Sequence, residues 1–109
     1  MIAINYSGRL DIVQAAKKIS THAGDNYDEA QFSKYLMTAE FGDIDLLIRT
    51  GGEKRLSNFM LWQSAYAELY FCDCKWPDFL EQQFQAALEY YAACDRKFGR
   101  LSNSEVADA

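Results

Sequence analysis

The sequence is poor in the residues that usually announce a site. Its 109 residues include one histidine, one proline and three cysteines. Structural zinc sites space their cysteines by two to four residues and need two further ligands, so Cys72-Asp73-Cys74 is a weak candidate for half a metal centre. The odd cysteine count argues against a secreted disulfide framework. Cys72, Cys74 and Cys94 therefore read as buried or incidental thiols, and His22 as a helix-surface residue. No apolar run approaches the roughly 18 residues that span a bilayer, and the N-terminus has no charged-then-apolar leader pattern, so a cytoplasmic protein is expected. Basic charge is also scarce. Eleven Lys and Arg against 16 Asp and Glu give a net charge of −5, which argues against a general nucleic-acid binder, since that needs a basic face. Repeats, low-complexity segments and internal linkers are absent.

What is present suits one small domain with a core, because half of the residues are apolar and 15% are aromatic. Residues 1–6, MIAINY, read as a buried strand. A Ser-Gly turn leads into a helix over RLDIVQAAKKISTHAG, with Ile12, Val13, Ala16, Ile19 and Ala23 at helical spacing and Gly24 as its stop. Asp28 and Gln31 resemble a capping box opening a second helix through about Ala39, with Phe32, Tyr35, Leu36 and Ala39 as its apolar face. The short apolar run IDLLI, ending at Arg49, reads as a strand buried on both faces. SNFMLWQSAY is apolar nearly all round and reads as a short buried helix starting near Ser57 or Asn58. ELYF is a third strand. Trp76-Pro77 breaks the chain, and Asp78 and Glu81 cap a last helix whose buried stripe is Leu80, Phe84, Leu88 and Tyr91. Trp62, Trp76, Tyr66, Tyr70 and Phe71 are expected in the core or at an interface. Residues 101–109 are small and polar and are expected to be a disordered tail. Strands alternating with helices give the α/β class, with a parallel sheet flanked by helices. Three strands make a small sheet with an exposed edge, which suggests part of a larger domain and apolar surface that needs a partner.

The stretch RTGGEKRLS, residues 49–57, gathers positive charge in an acidic chain. Ligands of parallel α/β sheets bind outside the carboxyl ends of the strands, where Arg49 stands. Gly51 and Gly52 would let backbone N–H groups approach an anion, and Arg55 and Ser57 follow beside an expected helix start. Arginine grips two oxygens at once, so the group suits a phosphate or diphosphate. A surface turn in which Arg55 pairs with Glu53 is the competing reading. The stretch is not a P-loop, because the Gly-Lys-Ser/Thr ending is missing. Glu68 opens ELYF, where a carboxylate needs a partner. A magnesium ion shared with substrate phosphates would be one; a salt bridge to Arg49 or Arg55 would be another.

DIDLLIRTGGEKRLSNFMLWQSAYAELYFCDCKWPDF, residues 43–79, resembles the C-terminal signature of the cis-prenyltransferases, among them the bacterial undecaprenyl diphosphate synthases. INYSGRLDIVQAAKKI resembles the family's Asn-Tyr-Gly-Gly-Arg segment and its following helix, and the likeness runs from the first residue to about Gly99. It implies that residues 1–100 form the C-terminal part of the cis-prenyltransferase fold. It also implies that Arg49, Arg55 and Ser57 bind the diphosphate of isopentenyl diphosphate, and that Glu68 binds Mg²⁺, in some members from across a homodimer. The family joins isopentenyl units to an allylic diphosphate such as farnesyl diphosphate, each new double bond cis. Its product, a polyprenyl diphosphate, is the precursor of a cell-wall lipid carrier, so any membrane association would come through the product. The family's catalytic Asp-Gly-Asn-Gly-Arg loop does not occur in these residues. The expectation is a fragment inactive alone, or else a non-catalytic diphosphate-binding or regulatory subunit that dimerises with a full-length synthase. Two positions depart from the family pattern. Ser7 replaces a glycine, which suits a position without positive φ. In RKFGR, Lys97 stands where arginine is usual and Arg100 where a second glycine is common.

Overall fold

A computed structural model describes residues 1–101; the expected tail, apart from Leu101, lies outside the described residues. The chain divides into two compact units. The first comprises Met1–Ile44 and Arg55–Ala65; the second comprises Asp45–Lys54 and the chain from Tyr66.

The first unit is built on helix α1, Gly8–His22. Ser7 caps it, its hydroxyl accepting from the Leu10 N–H at 3.3 Å. Ser7 has φ −138°, so a side chain is tolerated where the family pattern has glycine. Ala23 and Gly24 end the helix, Gly24 at φ +64° as a left-handed stop requires. Helix α2, Glu29–Ser33, opens with the expected capping box: Asp28 accepts from the Gln31 N–H at 2.8 Å, and Gln31 accepts from the Asp28 N–H at 3.0 Å. It lasts five residues rather than reaching Ala39, because residues 34–41 continue as turns with hydrogen bonds spanning three residues. Ala15, Ile19, Phe32 and Leu36 form the core between the two helices, with Trp62 packed on Phe32 at 4.6 Å between ring centres.

Two expectations for this unit fail. Residues 1–6 are not a strand. Asn5 takes φ +54°, which breaks the extended backbone, and Ile2 and Ile4 are exposed. The stretch from Ser57 to Tyr66 is not a helix either. Ser57, Asn58 and Met60 take φ +49°, +64° and +48°, which a right-handed helix cannot include, so the segment runs as successive turns.

The buried face of α1 is also displaced. It runs through Gly8, Asp11, Ala15 and Ile19, while Val13 is exposed. Asp11, 2% exposed, accepts three hydrogen bonds: from the Tyr6 hydroxyl at 2.8 Å, the Gln63 amide at 3.0 Å and the Met37 N–H at 2.9 Å. Gln63 also donates to the Thr38 hydroxyl at 2.9 Å. A buried carboxylate persists here because these donors replace its water.

The second unit holds a parallel pair, β1 (Leu46–Arg49) and β2 (Glu68–Phe71), in register Leu46 with Glu68 and Arg49 with Phe71. The expected parallel sheet is therefore present, with two strands rather than three among the described residues. Only Leu47 of β1 is buried, so the strand is not covered on both faces. A single 3₁₀ turn, Trp76–Asp78, precedes helix α3, Glu81–Ala93. Asp78 therefore lies outside α3; the N-terminal bond is made by Gln83, whose side chain accepts from the Leu80 N–H at 3.0 Å. The inward line of α3 is Gln83, Ala87 and Tyr91, whereas Leu80, Phe84 and Leu88 are exposed. Trp76 is likewise exposed, stacked on Phe79.

Candidate functional site

Arg49 and Glu68 both lie in the second unit, and Arg55 and Ser57 in the first.

Arg49 is the last residue of β1, half-buried, at the carboxyl end of a parallel pair. The ladder continues past it, with the Cys72 N–H donating to the Arg49 carbonyl at 2.9 Å. Gly51 and Gly52 follow at φ +95° and +85°, values that make glycine the fitting residue at both positions. Their amides do not lie open to a ligand as expected. The turn directs Gly51 N–H to the Cys74 carbonyl at 2.9 Å and Gly52 N–H to the Cys72 carbonyl at 3.0 Å. Cys72 and Cys74 are joined by a disulfide, where the sequence suggested free thiols.

Glu68 begins β2, opposite Leu46 and thus at the amino end of the sheet. Three residues of strand, roughly 10 Å at 3.3 Å per residue, separate its row from that of Arg49. The strand pair therefore sets the two residues at opposite ends. Glu68 is flanked by α3: burial first, then a hydrogen bond to the Glu68 carboxylate, pushes the Cys94 thiol above its ordinary value. Burial and the neighbouring Cys94 and Glu68 do the same to Tyr90. Among the described residues no three His, Cys, Asp or Glu side chains converge into a metal cage. Glu68 thus fits magnesium only as a single hard-oxygen ligand completed by substrate oxygens and water, the usual mode for that ion.

Ser57 lies exposed on the turn that replaces the expected helix, with Arg55 exposed two residues before it, so no helix N-terminus supports an anion there. The turn is pinned one residue on. Asn58 accepts from Gly8 N–H through its carbonyl at 2.7 Å and from Arg9 N–H through Oδ1 at 2.9 Å, and its side-chain amide donates to the Ser7 hydroxyl at 2.8 Å. Gly8 admits this approach because a Cβ there would lie 2.9 Å from the Asn58 carbonyl oxygen and 2.8 Å from Leu61.

Sequence reasoning missed the brace at the end of the chain. Arg96 pairs with Asp45 at 2.6 Å, donates to the Tyr91 hydroxyl at 3.0 Å and the Tyr66 carbonyl at 3.1 Å, and lies 4.5 Å over the Phe98 ring. It ties the residues entering both strands. Arg96 lies in the same RKFGR stretch as Lys97 and Arg100, but nothing in the family pattern singles it out. Asn58 was visible only as a possible cap.

Comparison with known proteins bears on these residues together. The family model described as "Putative undecaprenyl diphosphate synthase" matches residues 1–99. The chain is 51% identical to a ditrans,polycis-undecaprenyl-diphosphate synthase, (2E,6E)-farnesyl-diphosphate specific, of Buchnera aphidicola, covering 94% of this chain and 44% of that protein. It is 53% identical to the isoprenyl transferase of Aquifex aeolicus, covering 92% of this chain and 43% of that one. The solved lavandulyl diphosphate synthase of Lavandula x intermedia, in complex with dimethylallyl diphosphate, superposes with a TM-score of 0.80 at 44% identity, covering 90% of this chain and 45% of that one. The chain thus spans less than half the length of the relatives it matches. No helix among the described residues is long and apolar enough to cross a membrane. A match over nearly the whole chain, at half identity and with the same backbone, makes this chain a member of the undecaprenyl diphosphate synthase family of prenyltransferases.

Proposed function

We propose that this chain carries the isopentenyl-diphosphate-binding part of a cis-prenyltransferase. Arg49 and Arg55 grip the diphosphate, the Ser57 hydroxyl donates to it, and Glu68 contributes to Mg²⁺ binding. Two things support the reading: family membership, and one observation in this structure. Arg49 closes β1 at the carboxyl end of a parallel pair, where such sheets receive anionic ligands.

The reaction follows from what these side chains do. Guanidinium groups hold the diphosphate through paired charge-assisted hydrogen bonds. Holding it fixes the five-carbon unit against the allylic carbon that it attacks, which supplies rate through orientation. As the carbon–carbon bond forms, diphosphate departs from the allylic carbon with negative charge growing on its oxygens, and the isopentenyl unit loses a C2 proton to leave the new double bond. Magnesium, when bound, would neutralise phosphate charge. Because Glu68 stands at the amino end of β2, away from the row of Arg49, we assign it to the site of a second copy in a homodimer. The allylic partner would be farnesyl diphosphate or a relative. Because these 109 residues do not contain the family's Asp-Gly-Asn-Gly-Arg loop, the chain alone is expected to bind and not to elongate.

Calorimetric titration with isopentenyl diphosphate and with isopentenol tests this. Binding of the diphosphate and not of the alcohol is the expected result. Equal behaviour of the two would remove the anion site, and elongation of farnesyl diphosphate by the purified chain would overturn the assignment of catalysis elsewhere.

A further inference from the structure

We propose that Cys72 and Cys74 form a reversible redox site that controls the Arg49–Gly52 loop through the backbone. The two cysteines are disulfide-bonded across Asp73, and their carbonyls are the acceptors for Gly52 and Gly51. The same run donates from Cys72 N–H to the Arg49 carbonyl. Three consecutive hydrogen bonds thus fasten the loop to the disulfide-closed turn. Gly52 lies close to it in side-chain terms as well, since a Cβ there would sit 3.4 Å from the Asp73 carboxylate.

The bond is placed for exchange rather than for structural support. A disulfide stabilises a fold mainly by closing a long loop in the unfolded chain, and a separation of two residues closes almost none. Both cysteines are half-buried and Asp73 between them is exposed, so a small thiol can reach the sulfurs. Oxidation needs a low-molecular-weight disulfide as co-reactant. One cysteine thiolate attacks it, forming a mixed disulfide and releasing one small thiolate. The second cysteine thiolate then attacks the protein-side sulfur, closes Cys72–Cys74 and expels the other. Two electrons pass to the small disulfide, and the two cysteine protons end on the two small thiols. Reduction runs the sequence backwards, frees the turn to rotate and loosens its carbonyls from the two glycine amides.

The site is independent of the isopentenyl diphosphate reading. The full chain is prepared oxidised with glutathione disulfide and reduced with a phosphine, and hydrogen exchange of Gly51 and Gly52 is followed by NMR. Iodoacetamide should label Cys94 alone in the first state and all three cysteines in the second. Both glycine amides should exchange about tenfold faster after reduction, the scale of one lost hydrogen bond. A chain carrying Cys72→Ser and Cys74→Ser should match the reduced form under both conditions. Equal exchange in the two states, or failure of Cys72 and Cys74 to pair, overturns the proposal. Absence of isopentenyl diphosphate binding in both states would remove the functional reading and leave the exchange result standing.

Discussion

Each unit is stabilised internally by different means. The first has an apolar core between α1 and α2 and a buried polar hub around Asp11, so its turn carrying Arg55 and Ser57 rests on a packed base. Among its described residues the second buries one strand residue, Leu47, and one helix residue, Ala87, and relies on polar links: the Arg96 brace, the Cys72–Cys74 turn and the ladder itself. The first carries its candidate arginine, Arg55, on irregular backbone, and the second carries Arg49 at the end of a strand. Apolar burial scales with area and survives small changes at the rim. Polar braces depend on individual geometry. Arg55 should therefore be lost through damage to a core, and Arg49 through damage to single bonds.

The largest effect sharpens that contrast. Ile19 is wholly buried at the centre of the first core. Ile19→Ala should cost about 3–4 kcal/mol in urea unfolding, and Leu47→Ala about 2 kcal/mol. A larger loss at Leu47 would break the comparison. Gly8→Ala comes next. Its Cβ meets the Asn58 carbonyl and Leu61, so it should cost about 2 kcal/mol and release the Ser57 turn, seen as faster exchange at the Gly8 and Arg9 amides. Unchanged stability would mean that α1 does not hold that turn. Arg96→Ala should lower the urea midpoint by less than Gly8→Ala, because Asp45, its ion-pair partner, is 71% exposed.

The smallest effect is a pH dependence. Burial first, then the hydrogen bond to Asp11, raises Tyr6 from its ordinary 10 to about 12. The folded state favours the neutral phenol, so this stabilisation is complete below pH 10 and is lost as pH climbs through about 12. Tyr6→Phe should flatten the stability curve within that window. A curve parallel to wild type would mean that the hub does not hold the tyrosine.

Local signals were legible in the sequence. The Gly24 stop and the Asp28–Gln31 box act within a few residues and are both present. The two paired strands and the family were legible from IDLLI, ELYF and the long signature. What escaped depends on tertiary partners. MIAINY has the composition of a strand, but a strand exists only beside another. The apolar run from Ser57 has helical composition, yet three left-handed residues at 57, 58 and 60 turn it aside. Asp11 does not stand out in the sequence because charge reads as solvent-facing, although its spacing to Ala15 and Ile19 puts it on the buried stripe. Arg49 was identified by its place at a strand end; that its following glycine amides are already engaged by Cys72 and Cys74 required coordinates.

The central claim is that Arg49 and Arg55 each hold a diphosphate. Calorimetric titration of isopentenyl diphosphate into wild type, Arg49→Ala and Arg55→Ala tests it most directly. Loss of about 1.5–3 kcal/mol of binding from each substitution, the worth of a charge-assisted hydrogen bond, is the expected result. Affinities indistinguishable from wild type in both variants would contradict it.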